Sequence, residues 1–284
     1  MTPHRKTLAD LSDDGDAQLS MCLIARNEQT RVRRCFGSFW PHVDEVVLVD
    51  TGSDDDTIGE AQRFAADQPD AGKLIVGHFD WCDDFAAARN YAESLASCEY
   101  VCNTDLDETV VGAEHLRGVC SLLTPDVGSE TGANLLYFDN LYFGAWEMWE
   151  RLARRGAFPW VRRVDEIRQI RGGVGIVKRD VCHWLHHRQE DERSVDRYVP
   201  LAETMVREAP ECPDAQLVQA VELRFAGRLS EALARLDRYA ERHPTAAREI
   251  REWVLRLDRE HDRARHGSAD LTLNQSRQGD LGDA

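Results

Sequence analysis

With 284 residues the chain is long enough for a full α/β core and a small second unit. Its 35 Lys and Arg stand against 51 Asp and Glu, and the resulting charge of -16 repels phosphate backbones, which excludes a general nucleic-acid binder. No apolar run approaches the roughly 18–20 residues that cross a bilayer and residues 1–16 are polar, so no membrane partner and a cytoplasmic location are expected.

Residues 1–17 and 266–284 are rich in Asp, Ser and Gly and lack an apolar period, which predicts two disordered tails. Between them, a short apolar run at Leu19 to Ala25 precedes an amphipathic stretch over about 28–40. The same rhythm follows with Glu45 to Asp50, a helical stretch near 55–67, Lys73 to Val76, a helix over Asp84 to Ala96, and Tyr100 to Cys102. Strands of about five residues separated by helical spacing predict βαβ units on a parallel sheet, a Rossmann-like α/β fold over residues 18–195. After about residue 130 the chain turns aromatic and less regular, with Tyr137, Phe138, Tyr142, Phe143, Trp146, Trp149, Phe158 and Trp160; core packing is the commoner fate of such rings, an acceptor platform the rarer one.

Two further patterns have open readings. Arg151, Arg154, Arg155, Arg162, Arg163, Arg168, Arg171, Lys178 and Arg179 form a basic run, either a solvated face or a site for a phosphate or acidic acceptor. Eight cysteines without a Cys-x-x-Cys pair, several of them inside apolar runs, read as buried free thiols.

Residues 196–265 are helical in pattern. Pro210 and Pro244 stand 34 residues apart and enclose Ala220, Leu223, Gly227, Ala232 and Leu236, a spacing that resembles a tetratricopeptide repeat. One such repeat with flanking helices buries little alone, so it is expected to dock on the catalytic domain or on a partner; a homodimer through these helices is one such arrangement.

Ligands of parallel α/β sheets bind beyond the carboxyl ends of the strands. The residues there are Arg26-Asn27-Glu28, Asp50 to Asp54, and Asp105-Leu106-Asp107-Glu108, which bring Glu28, Asp50, Asp105 and Asp107 towards one edge. Singly, each is an ordinary cap or turn residue, and Ser53 or Asp54 is a candidate cap for the next helix. Asp-x-Asp after a strand is also a ligand pair for Mn2+ or Mg2+, hard ions held by one or two carboxylates and substrate phosphates.

Four ordered motifs carry a family resemblance: Leu19 to Glu28, Asp44 to Asp54 with Thr57, Phe79-Asp-Trp-Cys-Asp-Asp-Phe-Ala-Ala-Ala-Arg-Asn90, and Asn103 to Glu108. Together they resemble family-2 glycosyltransferases over about residues 19–200, densely through 110 and thinly afterwards. The resemblance implies a GT-A fold and an inverting displacement on a nucleotide-sugar donor, with UDP-glucose and UDP-N-acetylglucosamine the expected donors. It puts Glu28 and Asp50 near the base and ribose, Asp84 and Arg89 near the nucleotide, Asp105 at the ribose, and Asp107 on the metal. Relatives in the subfamily with Trp-x-Asp-Asp-Phe-x-x-Ala-Arg-Asn carry appended tetratricopeptide-like helices, and some modify bacteriocin precursor peptides, so a peptide or a small molecule is the implied acceptor.

Inversion calls for a carboxylate base on the acceptor side. Asp165-Glu166 lies where similar proteins have His-Glu, which favours Glu166 and leaves Asp165 open; a surface acidic pair answering nearby arginines is the competing reading. Related enzymes also place a histidine near His183-Trp-Leu-His-His187, so His183 or His186 is implied as a further metal ligand. Two rivals remain. A nucleotidyltransferase calls for a glycine-rich loop after the first strand, which is missing. An inactive adaptor that binds peptide through the helical segment would carry damaged motifs, and only Asp165 departs.

Overall fold

The computed structural model describes residues 17–123, 133–142, 145–169, 172–187 and 195–259. The expected tails, 1–17 apart from Ala17 and 266–284, lie outside the described residues, as do Phe143 and Arg171. The chain divides into two compact units, residues 1–193 and 194–284.

The first unit is built on a sheet that has nine strands among the described residues, five of its pairings parallel and three antiparallel. Strands β1 (Leu19–Ala25), β2 (Glu45–Asp50), β3 (Leu74–His78) and β4 (Tyr100–Asn103) alternate with helices α1 (Val32–Phe39), α2 (Thr57–Ala66) and α3 (Phe85–Leu95). After β5 (Glu108–Val111) and α4 (Leu116–Cys120) come β6 (Ala133–Tyr142), β7 (Ala145–Arg154), the short pair β8 (Trp160–Val161) and β9 (Ile167–Arg168), then β10 (Gly173–Val177) and β11 (His183–His186). The order is β3-β2-β1-β4-β7-β6-β11-β5, with β10 beside β6. This is the mostly parallel, Rossmann-like α/β arrangement that the alternation predicts.

Both faces of the parallel half are covered, which is why its strands read as continuous apolar runs. Leu19, Met21, Leu23 and Ala25 of β1 point into the large core with Val32, Cys35, Phe36 and Phe39 of α1, whose i, i+3, i+4, i+7 spacing is one helical stripe. Cys22 points the other way, into a smaller core with Val47, Val49, Val101 and the α3 residues Ala92 and Ala96. Because the chain builds β1, β2 and β3 outwards and then returns to lay β4 on the far side of β1, the winding reverses between β1 and β4. Such a reversal opens a crevice at the strand ends.

Six of the eight cysteines are buried free thiols; Cys82 is exposed and Cys212 partly so. Of the aromatic stretch, Phe138, Phe158 and Trp160 are core, whereas Trp146 is exposed. The basic run is neither a single solvated face nor a single anion site. Arg151 and Arg168 are buried and paired with Glu108 and Glu93, while Arg154 pairs with Glu99 and Arg155 donates to the Cys98 carbonyl.

The second unit consists of α5 (Val195–Glu208), α6 (Pro213–Phe225), α7 (Leu229–Ala240) and α8, residues 244–259. The repeat-like positions Ala220, Leu223, Ala232 and Leu236 are core residues, and Gly227 takes a φ of 71° in the turn between α6 and α7, where a side chain would be strained. No helix among the described residues is long and apolar enough to cross a membrane.

Candidate active site at the β1/β4 crevice

The loops after β1 and β2 are stitched to each other. Asn27, in a left-handed conformation with φ 59°, donates its N–H to Ser53 Oγ at 3.0 Å, and Asn27 Oδ1 accepts from the Asp54 N–H at 2.7 Å. The Glu28 N–H donates to Thr57 Oγ1 at 2.8 Å, and the Glu28 carboxylate pairs with Arg31. Ser53 and Asp54 are therefore consumed by this cross-loop lacing and do not cap α2; its N-cap position is Asp56, whose side chain makes no capping bond, while Asp55 Oδ1 accepts from the Thr57 N–H at 3.0 Å. Asp50, at the tip of β2, accepts from the Ser53 N–H at 3.0 Å and lies 3.5 Å from His78 Nδ1, whose other nitrogen is 3.4 Å from Asp80.

Asp84 is the N-cap of α3: its Oδ1 accepts from the Ala87 N–H at 2.9 Å, and Arg163 stands 3.8 Å from its other oxygen. One turn into that helix, Arg89 is buried and joins two of the expected site carboxylates. Its Nε donates to Glu166, and its Nη2 donates to Asp105 at 3.0 and 3.3 Å, with the guanidinium over the Trp160 ring. Those two carboxylates push its pKa above the ordinary value, against the opposing pull of burial, so it is a permanent cation between them.

The turn after β4 then separates the two aspartates. Asp105 faces Arg89, and Asp107 faces His186, whose Nε2 is 3.2 Å from Asp107 Oδ2 with both side chains over nine-tenths buried. The β5–β11 pairing sets this up, since His186 stands opposite Glu108, the residue after Asp107, and the His187 N–H donates to the Asp107 carbonyl at 2.7 Å. The two candidate histidines are thereby distinguished in place. His183 opens the same strand opposite Val111, its Nδ1 2.9 Å from the Arg179 carbonyl oxygen and its ring edge-on to Trp146.

Glu166 and Asp165 are likewise distinguished. Glu166 points inward to Arg89; Asp165 is exposed with a φ of 47°. Among the described residues the non-glycine left-handed positions are Asn27, Asp83, Arg162 and Asp165, and all four sit in the loops that carry these carboxylates. Left-handed backbone at a non-glycine residue is costly and concentrates at functional sites.

The chemistry of the donor set fits a divalent ion: a carboxylate and an imidazole side by side, the pair to which substrate phosphate oxygens are usually added in a magnesium or manganese shell. Among the described residues no three His, Cys, Asp or Glu side chains converge on one point, so protein ligands alone do not close such a site. The residues that sequence reasoning missed are Asn27, which laces the two loops, His78, which reaches Asp50, and the buried partners Glu93 and Glu108. Nothing in residue type separates Glu108 from the acids Asp105 and Asp107 beside it; its place opposite His186 could be found only from strand pairing.

The sequence profile of glycosyl transferase family 2 matches residues 20–163, which contain the loops after β1, β2 and β4 and helix α3. A TPR repeat-containing protein of Synechococcus elongatus is 40% identical over 95 residues, 34% of this chain and 22% of that protein. An uncharacterized glycosyltransferase of Rickettsia conorii is 34% identical over 91 residues, 32% of this chain and 29% of its own. The SPbeta prophage-derived glycosyltransferase SunS of Bacillus subtilis is 29% identical over 85 residues, 30% of this chain and 19% of its own. The chain thus matches less than a third of the length of these relatives. Among solved structures, S. aureus TarS 1-349 in complex with UDP-GlcNAc aligns with a TM-score of 0.49 and 12% identity over 88% of this chain and 92% of that one. With half of its length matched by one family profile, and the profile's span holding every strand-end acid of the crevice, the chain belongs to glycosyl transferase family 2.

Proposed function

We propose that the chain is an inverting, metal-dependent glycosyltransferase that moves a sugar from a nucleotide donor, UDP-glucose or UDP-N-acetylglucosamine, to a hydroxyl or thiol of a peptide or small molecule. The observation that carries this reading is the split turn after β4, with Asp105 on a buried arginine and Asp107 beside a buried histidine. In this reading Asp107 and His186 would hold Mn2+ or Mg2+, which when bound would supply positive charge against the departing diphosphate. Glu28 and Asp50 face the base and ribose from the laced loops, and Arg89 keeps Asp105 aimed at the ribose from the other side of the crevice. Asp84 serves the nucleotide indirectly, as the cap that fixes the start of the helix bearing Arg89.

The acceptor attacks the anomeric carbon as the bond to the diphosphate breaks, and its proton passes to a carboxylate. Glu166 is the base of choice: Arg89 engages its Oε1, which fixes the side chain and leaves Oε2 for the acceptor proton. Asp165, exposed beside it, is the alternative, and His183 has a place in lining the approach with Trp146 rather than on the metal. SunS, a glycosyltransferase by name, supports a glycosyl acceptor chemistry for this chain without fixing its acceptor. The test is calorimetric titration with UDP, GDP, CDP and dTDP, each with Mn2+ and again with excess chelator. One nucleotide should bind with metal and be lost with chelator; binding of none would leave the adaptor reading in its place.

A further inference from the structure

Directly behind the Asp105–Asp107 turn lies a carboxylate that the mechanism above does not use. Glu108 is fully buried at the start of β5. Its Oε2 accepts from Thr104 Oγ1 at 3.1 Å and from the Asp105 N–H at 2.9 Å; its Oε1 accepts from Asn140 Nδ2 at 3.0 Å and Arg151 Nη2 at 2.6 Å. A carboxylate has about four lone-pair sites, so these donors fill it and leave no capacity for a metal ion.

The donors come from different strands. Asn140 lies on β6 and Arg151 on β7, while Thr104 follows β4 and its hydroxyl accepts from Trp184 Nε1 of β11 at 3.1 Å. Arg151 also donates Nη1 to the Asn103 carbonyl at 3.3 Å, and its guanidinium carbon lies 5.1 Å from the centres of both the Trp149 and Trp184 rings. A well-packed apolar pair would stabilise the fold about as well as this buried ion pair, so stability alone is a weak reason for it. What an apolar pair could not do is hold the Asp105 peptide N–H, and the register places the same Glu108 opposite His186. The Glu108 side chain therefore holds the turn that carries Asp105 and Asp107, and its backbone position pairs with the strand residue that faces them.

We propose that Glu108, neutralised by Arg151, is a positioning residue for the metal pair: it fixes Asp107 against His186 without touching any ligand. The inference rests on the reading of Asp107 and His186 as metal ligands. Two full-length variants test it, Glu108→Gln and the charge-free combination Glu108→Gln with Arg151→Met, each first checked for native circular dichroism and a cooperative melt. Mn2+ is titrated in the presence of UDP, and UDP binding is measured separately at saturating Mn2+. In a folded variant the apparent Mn2+ dissociation constant should rise about 10- to 100-fold, the effect of losing an outer-shell partner, while UDP affinity at saturating Mn2+ stays as in the wild type. Wild-type Mn2+ affinity in a folded variant overturns the proposal. So does failure of both variants to fold, because the pair would then determine the fold and not the geometry of one turn. Absence of Mn2+-dependent UDP binding in the wild type overturns the metal reading itself, and this inference with it.

Discussion

The two halves of the central sheet are held together by different forces. In β1, β2 and β3 with helices α1 and α2, apolar side chains form the core, and the expected site acids sit at strand tips. Around β4, β7, β6 and β11, two buried ion pairs join elements distant in the chain: Glu108 of β5 with Arg151 of β7, and Glu93 of α3 with Arg168 of β9. Arg168 is almost wholly buried and also donates to the Phe158 carbonyl at 3.1 Å, while Glu93 accepts from Trp160 Nε1 at 2.6 Å and Asn103 Nδ2 at 2.9 Å. The contrast is between a half held mainly by apolar packing and a half in which each buried guanidinium is neutralised by a carboxylate from another element.

The largest expected effect comes from breaking the polar half on one side. Arg168→Met leaves Glu93 charged and buried, and should cost about 3–5 kcal/mol in urea unfolding. Adding Glu93→Gln, which retains an acceptor for Trp160 and Asn103, should recover most of that loss, because no buried charge then remains unpaired. In the apolar half Phe36→Ala should cost a similar amount, about 3–5 kcal/mol, from lost burial and a cavity. No second substitution that alters charge should rescue it; rescue by one would erase the distinction between the halves.

Smaller effects sharpen the comparison. Asp84→Ala removes the α3 cap and should cost about 1 kcal/mol, read as a shift in the urea midpoint, with Arg89 still in place. Thiol labelling tests burial directly. Cys82 is exposed and should react first with an alkylating reagent, whereas Cys102, whose thiol burial pushes up to about 12, should react only on unfolding. Early labelling of Cys102 in native protein would mean that the β4 strand opens locally.

The same contrast explains what was legible in the sequence. The apolar runs of β1 and β2 and the stripe Val32, Cys35, Phe36, Phe39 announce their elements, because burial on both faces leaves a periodic trace. The strand-end acids Glu28, Asp50, Asp105 and Asp107 could be located by counting from those runs. Arg151 and Arg168 could not: in sequence they belong to a basic run that resembles a surface, and only long-range pairing with Glu108 and Glu93 puts them inside. For the same reason Ser53 and Asp54 read as helix caps until the loop after β1 is seen to claim them, and His183 and His186 differ only through strand register.

The most direct test of the Asp107–His186 site is release of nucleoside diphosphate from UDP-glucose and UDP-N-acetylglucosamine, followed by chromatography with Mn2+ or with chelator. Wild-type protein with Mn2+ should release UDP from one of the two donors by slow transfer of the sugar to water, which stands in for the acceptor. Chelator should abolish the release, and Asp107→Ala should abolish it with the melting curve unchanged. Release at the wild-type rate by folded Asp107→Ala would contradict the site.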